Sequence, residues 1–104
     1  MAFVTQIGSG NSSAITQVGA GTGTLSNNAN VTQTGADGES TISQDGEDNN
    51  ATLTQLLGSS MAMSAITQDG TENNATVNQG GAMDASTIGQ TGMGNSVTVN
   101  QNVP

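Results

Sequence analysis

Eight carboxylates are the only ionisable side chains in this 104-residue sequence, which contains no lysine, arginine, histidine or cysteine. They are Asp37, Glu39, Asp45, Glu47, Asp48, Asp69, Glu72 and Asp84. Paired carboxylates do acid–base work when a cleft holds them at different protonation states. Clustered with amide oxygens, as in "DGEDNN" (45–50) and "GADGES" (35–40), they also suit calcium. Neither segment has the ligand spacing of an EF-hand loop or of the nine-residue calcium-solenoid repeat. Nothing in the chain supplies a histidine base, a thiolate or a lysine nucleophile. The expectation is therefore no catalysis, no metal and no cofactor. The carboxylates read instead as like charges that repel when stacked and so delay self-association. On that reading, assembly should quicken as pH falls toward about 4 or when calcium is added, since neutralising like charges weakens their repulsion.

The second chemistry on offer is amide hydrogen bonding. All nine glutamines fall in one register: Gln6, Gln17, Gln33, Gln44, Gln55, Gln68, Gln79, Gln90 and Gln101. Most successive glutamines stand eleven positions apart; the steps from Gln17 to Gln33 and from Gln55 to Gln68 are longer, by five and by two. Two residues before each comes an aliphatic: Val4, Ile15, Val31, Ile42, Leu53, Ile66, Val77, Ile88 and Val99. Two further back stands Ala or Ser, with Val97 the exception. Two residues after the glutamine lies Gly8, Gly19, Gly35, Gly46, Gly70, Gly81 or Gly92, with Leu57 and Val103 in the other units. Five asparagines, Asn11, Asn27, Asn49, Asn73 and Asn95, each precede a glutamine by six positions.

A step of two is the side-chain period of a strand, so the small residue, the aliphatic and the glutamine share one face. The residues between them are mostly Thr, Ser, Asn and Ala, which suit a solvated sheet surface. Gly and Asn beyond the glutamine accept the positive φ of a tight arc. Eleven residues thus make one strand and one arc, and about 22 make a two-strand coil. The sequence predicts an all-β, parallel two-sheet β-solenoid of about 4.5 coils in cross-β stacking. Strands are expected near 2–6, 13–17, 29–33, 40–44, 51–55, 64–68, 75–79, 86–90 and 97–101, forming a single domain over 1–104. The two longer steps place loop insertions near 20–25 and 56–63.

Composition alone would suggest disorder. Leu, Ile, Val and Phe number only 17, beside a net charge of -8, too little apolar surface for a conventional core. A solenoid resolves the conflict, because each coil needs one thin layer of aliphatics. Within that layer a lone buried amide would cost on the order of 1–3 kcal/mol. Stacked in register, each glutamine amide instead donates to one coil and accepts from the other. The asparagines are expected to form a second ladder at the turn.

The repeats resemble the curlin repeat of curli, the functional amyloid of bacterial biofilms, whose pattern is Q-x-G-x-x-N-x-A-x-x-x-Q. The chain shows it as "QDGEDNNATLTQ" (44–55) and "QDGTENNATVNQ" (68–79), with variants "QIGSGNSSAITQ" (6–17) and "QTGMGNSVTVNQ" (90–101). The resemblance implies a structural subunit polymerising end to end into an extracellular, cell-surface amyloid fibre, with a nucleator subunit and a secretion pore as partners. It also implies that the registered Gln and Asn positions govern polymerisation. "MAFVTQIG" has neither the basic start nor the apolar core of a signal peptide, so a secretion signal is expected outside this chain.

Other partners fit less well. A chain without a basic residue offers nucleic acid or an anionic membrane no cationic footprint. No apolar run reaches transmembrane length, so no membrane insertion is expected. Asn-x-Ser/Thr at Asn11, Asn30, Asn50 and Asn74 follows from the repeat itself rather than from glycosylation. Met61, Met63, Met83 and Met93 lie between strand cores and are expected to cover the ends of the arcs. The alternative to a fibre is a monomeric solenoid whose outward threonines, as in "TLT" (52–54), form a flat recognition face like that of ice-binding β-solenoids. Interruptions at Ala14, Asn30, Ala65, Asn78 and Gly89 count against it.

Overall fold

A computed structural model describes residues 1–19, 26–56 and 60–101. The described residues form nine strands: β1 (Ala2–Ser9), β2 (Ser12–Val18), β3 (Asn28–Ala36), β4 (Glu39–Glu47), β5 (Asn50–Gln55), β6 (Met63–Thr71), β7 (Asn74–Gln79), β8 (Ala85–Met93) and β9 (Ser96–Gln101). Each strand carries one small–x–aliphatic–x–glutamine unit, with Val97 in the small position of β9. The expected insertion near 20–25 lies outside the described residues, as do 57–59 of the one near 56–63.

Odd strands form a five-stranded sheet, β1-β3-β5-β7-β9, and even strands a four-stranded sheet, β2-β4-β6-β8. Every neighbouring pair is parallel. The chain is thus a β-solenoid of about four turns, each turn visiting both sheets. Stacked glutamines are separated by 27, 22 or 24 residues, so the coil is longer than 22 wherever an insertion intervenes. Pairing stays in register regardless: Ala29 meets Ala51, Val31 meets Leu53 and Gln33 meets Gln55. A slip of one residue would turn the buried row outward, so the alternation fixes the register. The molecule's 20 Å dimension matches five strands stacked about 4.8 Å apart.

The two sheets are chemically distinct. The inward rows of the odd sheet are Ala2, Ala29, Ala51, Ala75 and Val97, then Val4, Val31, Leu53, Val77 and Val99. Those of the even sheet are Ser13, Ser40, Ser64 and Ser86, then Ile15, Ile42, Ile66 and Ile88. What reads along the sequence as "Ala or Ser" is a strict alternation between sheets up to Val97. Alanine beside valine and serine beside isoleucine give each coil a nearly constant core volume, which close packing demands.

Val31, Ile42, Leu53, Ile66 and Val77 are at most 1% exposed, and Ile15, Val97 and Val99 pack partly buried against them. Val4 departs from the expected core, at 47% exposed, because β1 has a neighbour on one edge only. Met61, Met63, Met83 and Met93 do not cover the arcs; each is more than half exposed.

The arcs also differ from expectation. Gly8, Gly35, Gly46, Gly70 and Gly92 lie within the strand ends, still paired in the ladder, rather than in the arcs proper. Gly8, Gly46 and Gly70 need space as well as positive φ (118–129°), since a Cβ on any of them would fall 1.9 Å from the carbonyl oxygen of the glycine one coil on. Glycine takes the left-handed corner at Gly10 and Gly94 (φ 71°), but Asp37, Asp48, Met61, Glu72 and Met83 take it elsewhere at φ near 57°, where propensity alone would place glycine or asparagine.

Candidate functional site

The glutamines form two continuous ladders, one per sheet. In the odd sheet each Nε2 donates to the Oε1 one coil on: Gln6 to Gln33, Gln33 to Gln55, Gln55 to Gln79 and Gln79 to Gln101, at 2.7–3.0 Å. In the even sheet Gln17 donates to Gln44, Gln44 to Gln68 and Gln68 to Gln90, each at 2.8 Å. Gln33, Gln44, Gln55, Gln68 and Gln79 are at most 1% exposed.

The second amide hydrogen is used as well, reaching across the core to a carbonyl where the preceding strand opens. Gln44 donates to Asn28 at 2.9 Å, while Gln68 to Asn50, Gln90 to Asn74 and Gln101 to Ala85 are each 3.0 Å. Because a carbonyl sits there, the nitrogen must face it, which fixes the orientation of each such amide in the ladder. Both hydrogens and the oxygen of an interior glutamine are therefore satisfied, as burial requires.

The fixed orientation gives the ladders a direction. Every ladder bond runs toward the C-terminal coil. At the N-terminal end, Gln6 and Gln17 present side-chain carbonyl oxygens that no ladder donor among the described residues reaches. At the C-terminal end, Gln90 and Gln101 present amide hydrogens that meet no further rung among the described residues. Among the described residues the two ends are complementary and unpaired, with β1 and β9 as the outer strands of their sheet.

The asparagine ladder differs from expectation in membership and in chemistry. Asn27, Asn49, Asn73 and Asn95 stack on the arc that enters the odd sheet. Their side chains bond backbone, not one another: the Asn49, Asn73 and Asn95 N–H groups donate to the preceding Oδ1 at 3.0–3.1 Å. Asn27, Asn49 and Asn73 Nδ2 donate to the carbonyls of Gly46, Gly70 and Gly92 one coil on, at 3.0–3.1 Å. Each asparagine thus bridges two turns of backbone. Asn11 is on the opposite arc, where Gly38 donates its N–H to Asn11 Oδ1 at 2.9 Å. The reason is parity: Asn11 precedes Gln17 of an even strand, the other four precede glutamines of odd strands.

Two outward asparagine ladders escaped the sequence reading. Asn28 donates to Asn50 and Asn50 to Asn74 at 3.2 and 3.1 Å, while Asn78 donates to Asn100 at 2.8 Å. Their signal was present in the sequence, since Asn28, Asn50 and Asn74 each directly precede the small residue of an odd strand.

Among the described residues no three carboxylates gather to hold a metal ion. Asp45 and Asp69 occupy neighbouring rungs on the outer surface of the even sheet. A depression of about 140 Å³ beside Glu39, Thr41, Ser64 and Ser86 is smaller than sites that enclose small molecules, typically about 300–1,000 Å³. No family model matches the chain, and no curated protein matches it.

Proposed function

We propose that this chain is the structural subunit of an extracellular, curli-like functional-amyloid fibre that serves biofilm matrix, adhesion and aggregation. Its activity is self-assembly. The observation that carries this reading is the pair of directional glutamine ladders that, among the described residues, end in unmet acceptors at one end and unmet donors at the other. An open parallel edge with alternating buried residues is a template for another strand. The edge of β1 adds Val4, an inward residue left 47% exposed, which a further coil would cover. The likeness of four units to the curlin pattern supports the extracellular setting, and with it a nucleator and a secretion pore as partners. No enzymatic step, cofactor, nucleic acid or membrane insertion enters this function.

A second reading rests on the outer surface of the odd sheet. Thr52, Thr76 and Thr98 align in one column and Thr5, Thr32 and Thr54 in another, as a monomeric binding face would require. Asn30, Asn78 and Asn100 break both columns.

Electron microscopy of the protein aged at neutral pH, with Thioflavin-T kinetics, separates the two. Unbranched fibrils that bind the dye are expected. A stable monomer showing thermal hysteresis would favour the threonine face instead.

A further inference from the structure

The nine strands of the described residues make a half-integral number of coils, and this decides how one copy must follow another. If a second copy is added in phase, its β1 follows β9 in the odd sheet. Two odd-sheet strands then succeed each other, and the even-sheet strand that belongs between them is missing. The gap closes only if the second copy is rotated by half a turn about the solenoid axis. Its β1 then extends the even sheet over β8, and its β2 extends the odd sheet over β9.

Three independent features fit the turned arrangement. The first is the odd placement of Asn11. The segments Gly8–Asn11 and Gly92–Asn95 share the sequence G-x-G-N and the same backbone, with φ of 119° and 71° in one and 114° and 71° in the other. The first arc of the chain is thus built like the last arc of the opposite side. Half a turn of the second copy lays the partner's Asn11 on Asn95. Asn27, Asn49 and Asn73 each reach a glycine carbonyl one coil on, whereas among the described residues Asn95 Nδ2 holds only the Thr91 carbonyl at 2.9 Å. The partner's Gly8 supplies the carbonyl that completes the set.

The second is Gln6. Later glutamines give an amide hydrogen to a carbonyl where the preceding strand opens, as Gln17 does to Met1 at 3.1 Å and Gln101 to Ala85 at 3.0 Å. Gln6 lies on the first of the described strands, and no described strand precedes it. In the turned arrangement its predecessor is β9, whose matching carbonyl is Ser96. In phase, that position is empty.

The third is Val97, the one break in the Ala/Ser rule. At the turned junction the partner's β1, carrying alanine and valine, faces β9 where serine and isoleucine would normally stand. The larger Val97 restores the volume that an alanine–valine pair alone would leave unfilled.

We infer that successive copies of this chain join C-terminal coil to N-terminal coil with a half-turn rotation, continuing the solenoid by half a coil. The inference rests on the fibre reading above. Cysteine pairs test it cleanly in a chain that has no cysteine. In the turned junction the partner's Ala14 lies beside Thr98, about 4.8 Å away on the adjacent parallel strand, within disulfide reach. In phase, the partner's Phe3 takes that place. Within one chain neither pair can meet, since Ala14 is on the other sheet and β1 is four strands from β9. On oxidation of assembled protein, A14C/T98C is expected to give a series of covalent multimers on a non-reducing gel, and F3C/T98C to remain monomeric. Multimers from F3C/T98C, or from neither while fibres form, overturn the rotation and leave the fibre standing. Absence of fibres from the unsubstituted chain overturns both. The symmetry of unsubstituted fibres gives a check free of any variant. The turned junction gives half a turn per subunit with a rise of about 22 Å, and the in-phase junction no rotation and about 24 Å, from the strand spacing.

Discussion

Gln68 Nε2 donates to Gln90 Oε1 at 2.8 Å and to the Asn50 carbonyl at 3.0 Å, while its own oxygen accepts from Gln44 at 2.8 Å. One fully buried side chain therefore ties three successive rungs of one sheet to a strand of the other. An amide with all its partners inside a dry core is worth keeping only if the stack continues on both sides.

Gln68→Leu removes that junction and strands an amide hydrogen of Gln44, the Gln90 oxygen and the Asn50 carbonyl. With each unmet buried group costing about 1–3 kcal/mol, the substitution should destabilise the solenoid by at least about 3 kcal/mol. Urea unfolding of the soluble chain reads this directly. In fibre assays, replacing Gln44 and Gln90 with leucine should slow or abolish growth; normal Thioflavin-T kinetics would mean the ladders do not drive stacking.

Ser40 carries a buried hydroxyl without a hydrogen-bond partner among the described residues, as does Ser13, whereas Ser64 and Ser86 pair at 3.0 Å. Alanine already fills the matching row of the odd sheet. Ser40→Ala should therefore stabilise by about 1 kcal/mol by removing the unmet group. Ser64→Ala should not, because it breaks a made bond. An equal response of the two positions would contradict the packing described.

Met83 holds φ at 58° with its side chain 69% exposed. A left-handed conformation costs an L-residue roughly 1–2 kcal/mol that glycine avoids, partly offset by glycine's greater loss of freedom on folding. Met83→Gly should raise the unfolding midpoint modestly, while glycine at Thr76, inside β7, should lower it.

Asp45 and Asp69 stand on adjacent rungs, about 4.8 Å apart by strand spacing, well inside a Debye length of about 10 Å at 0.1 M salt. Asp69→Asn should shorten the lag before fibre growth several-fold at low ionic strength. Added salt should shrink the difference between variant and parent. A lag insensitive to both would show that these carboxylates do not restrain assembly.

Much of the architecture was legible in the residues. The step of two in Ala51–Leu53–Gln55 set strand, inward face and register together, and the recurrence of glutamine every eleven positions marked the half-coil. Less was legible at the arcs. Asp48 and Glu72 occupy left-handed corners because stacked neighbours impose the turn, which local propensity does not record. The asparagine set divided for a similar reason: distance to the next glutamine is a one-dimensional measure, whereas the side of the solenoid depends on counting strands. Val4 matched the core pattern yet lies exposed, since burial at an edge depends on what is stacked beyond it.

On the proposed reading the function is the fibre, and the ladders continue across subunits. A cryo-EM map of fibres grown from this chain tests it most directly. Expected are two sheets of parallel strands perpendicular to the fibre axis, glutamine density unbroken through each subunit boundary, and a rise per subunit of four to five strand spacings, roughly 22 Å. Fibres whose subunits meet through the sheet faces, with the β1 and β9 edges left open, would contradict it.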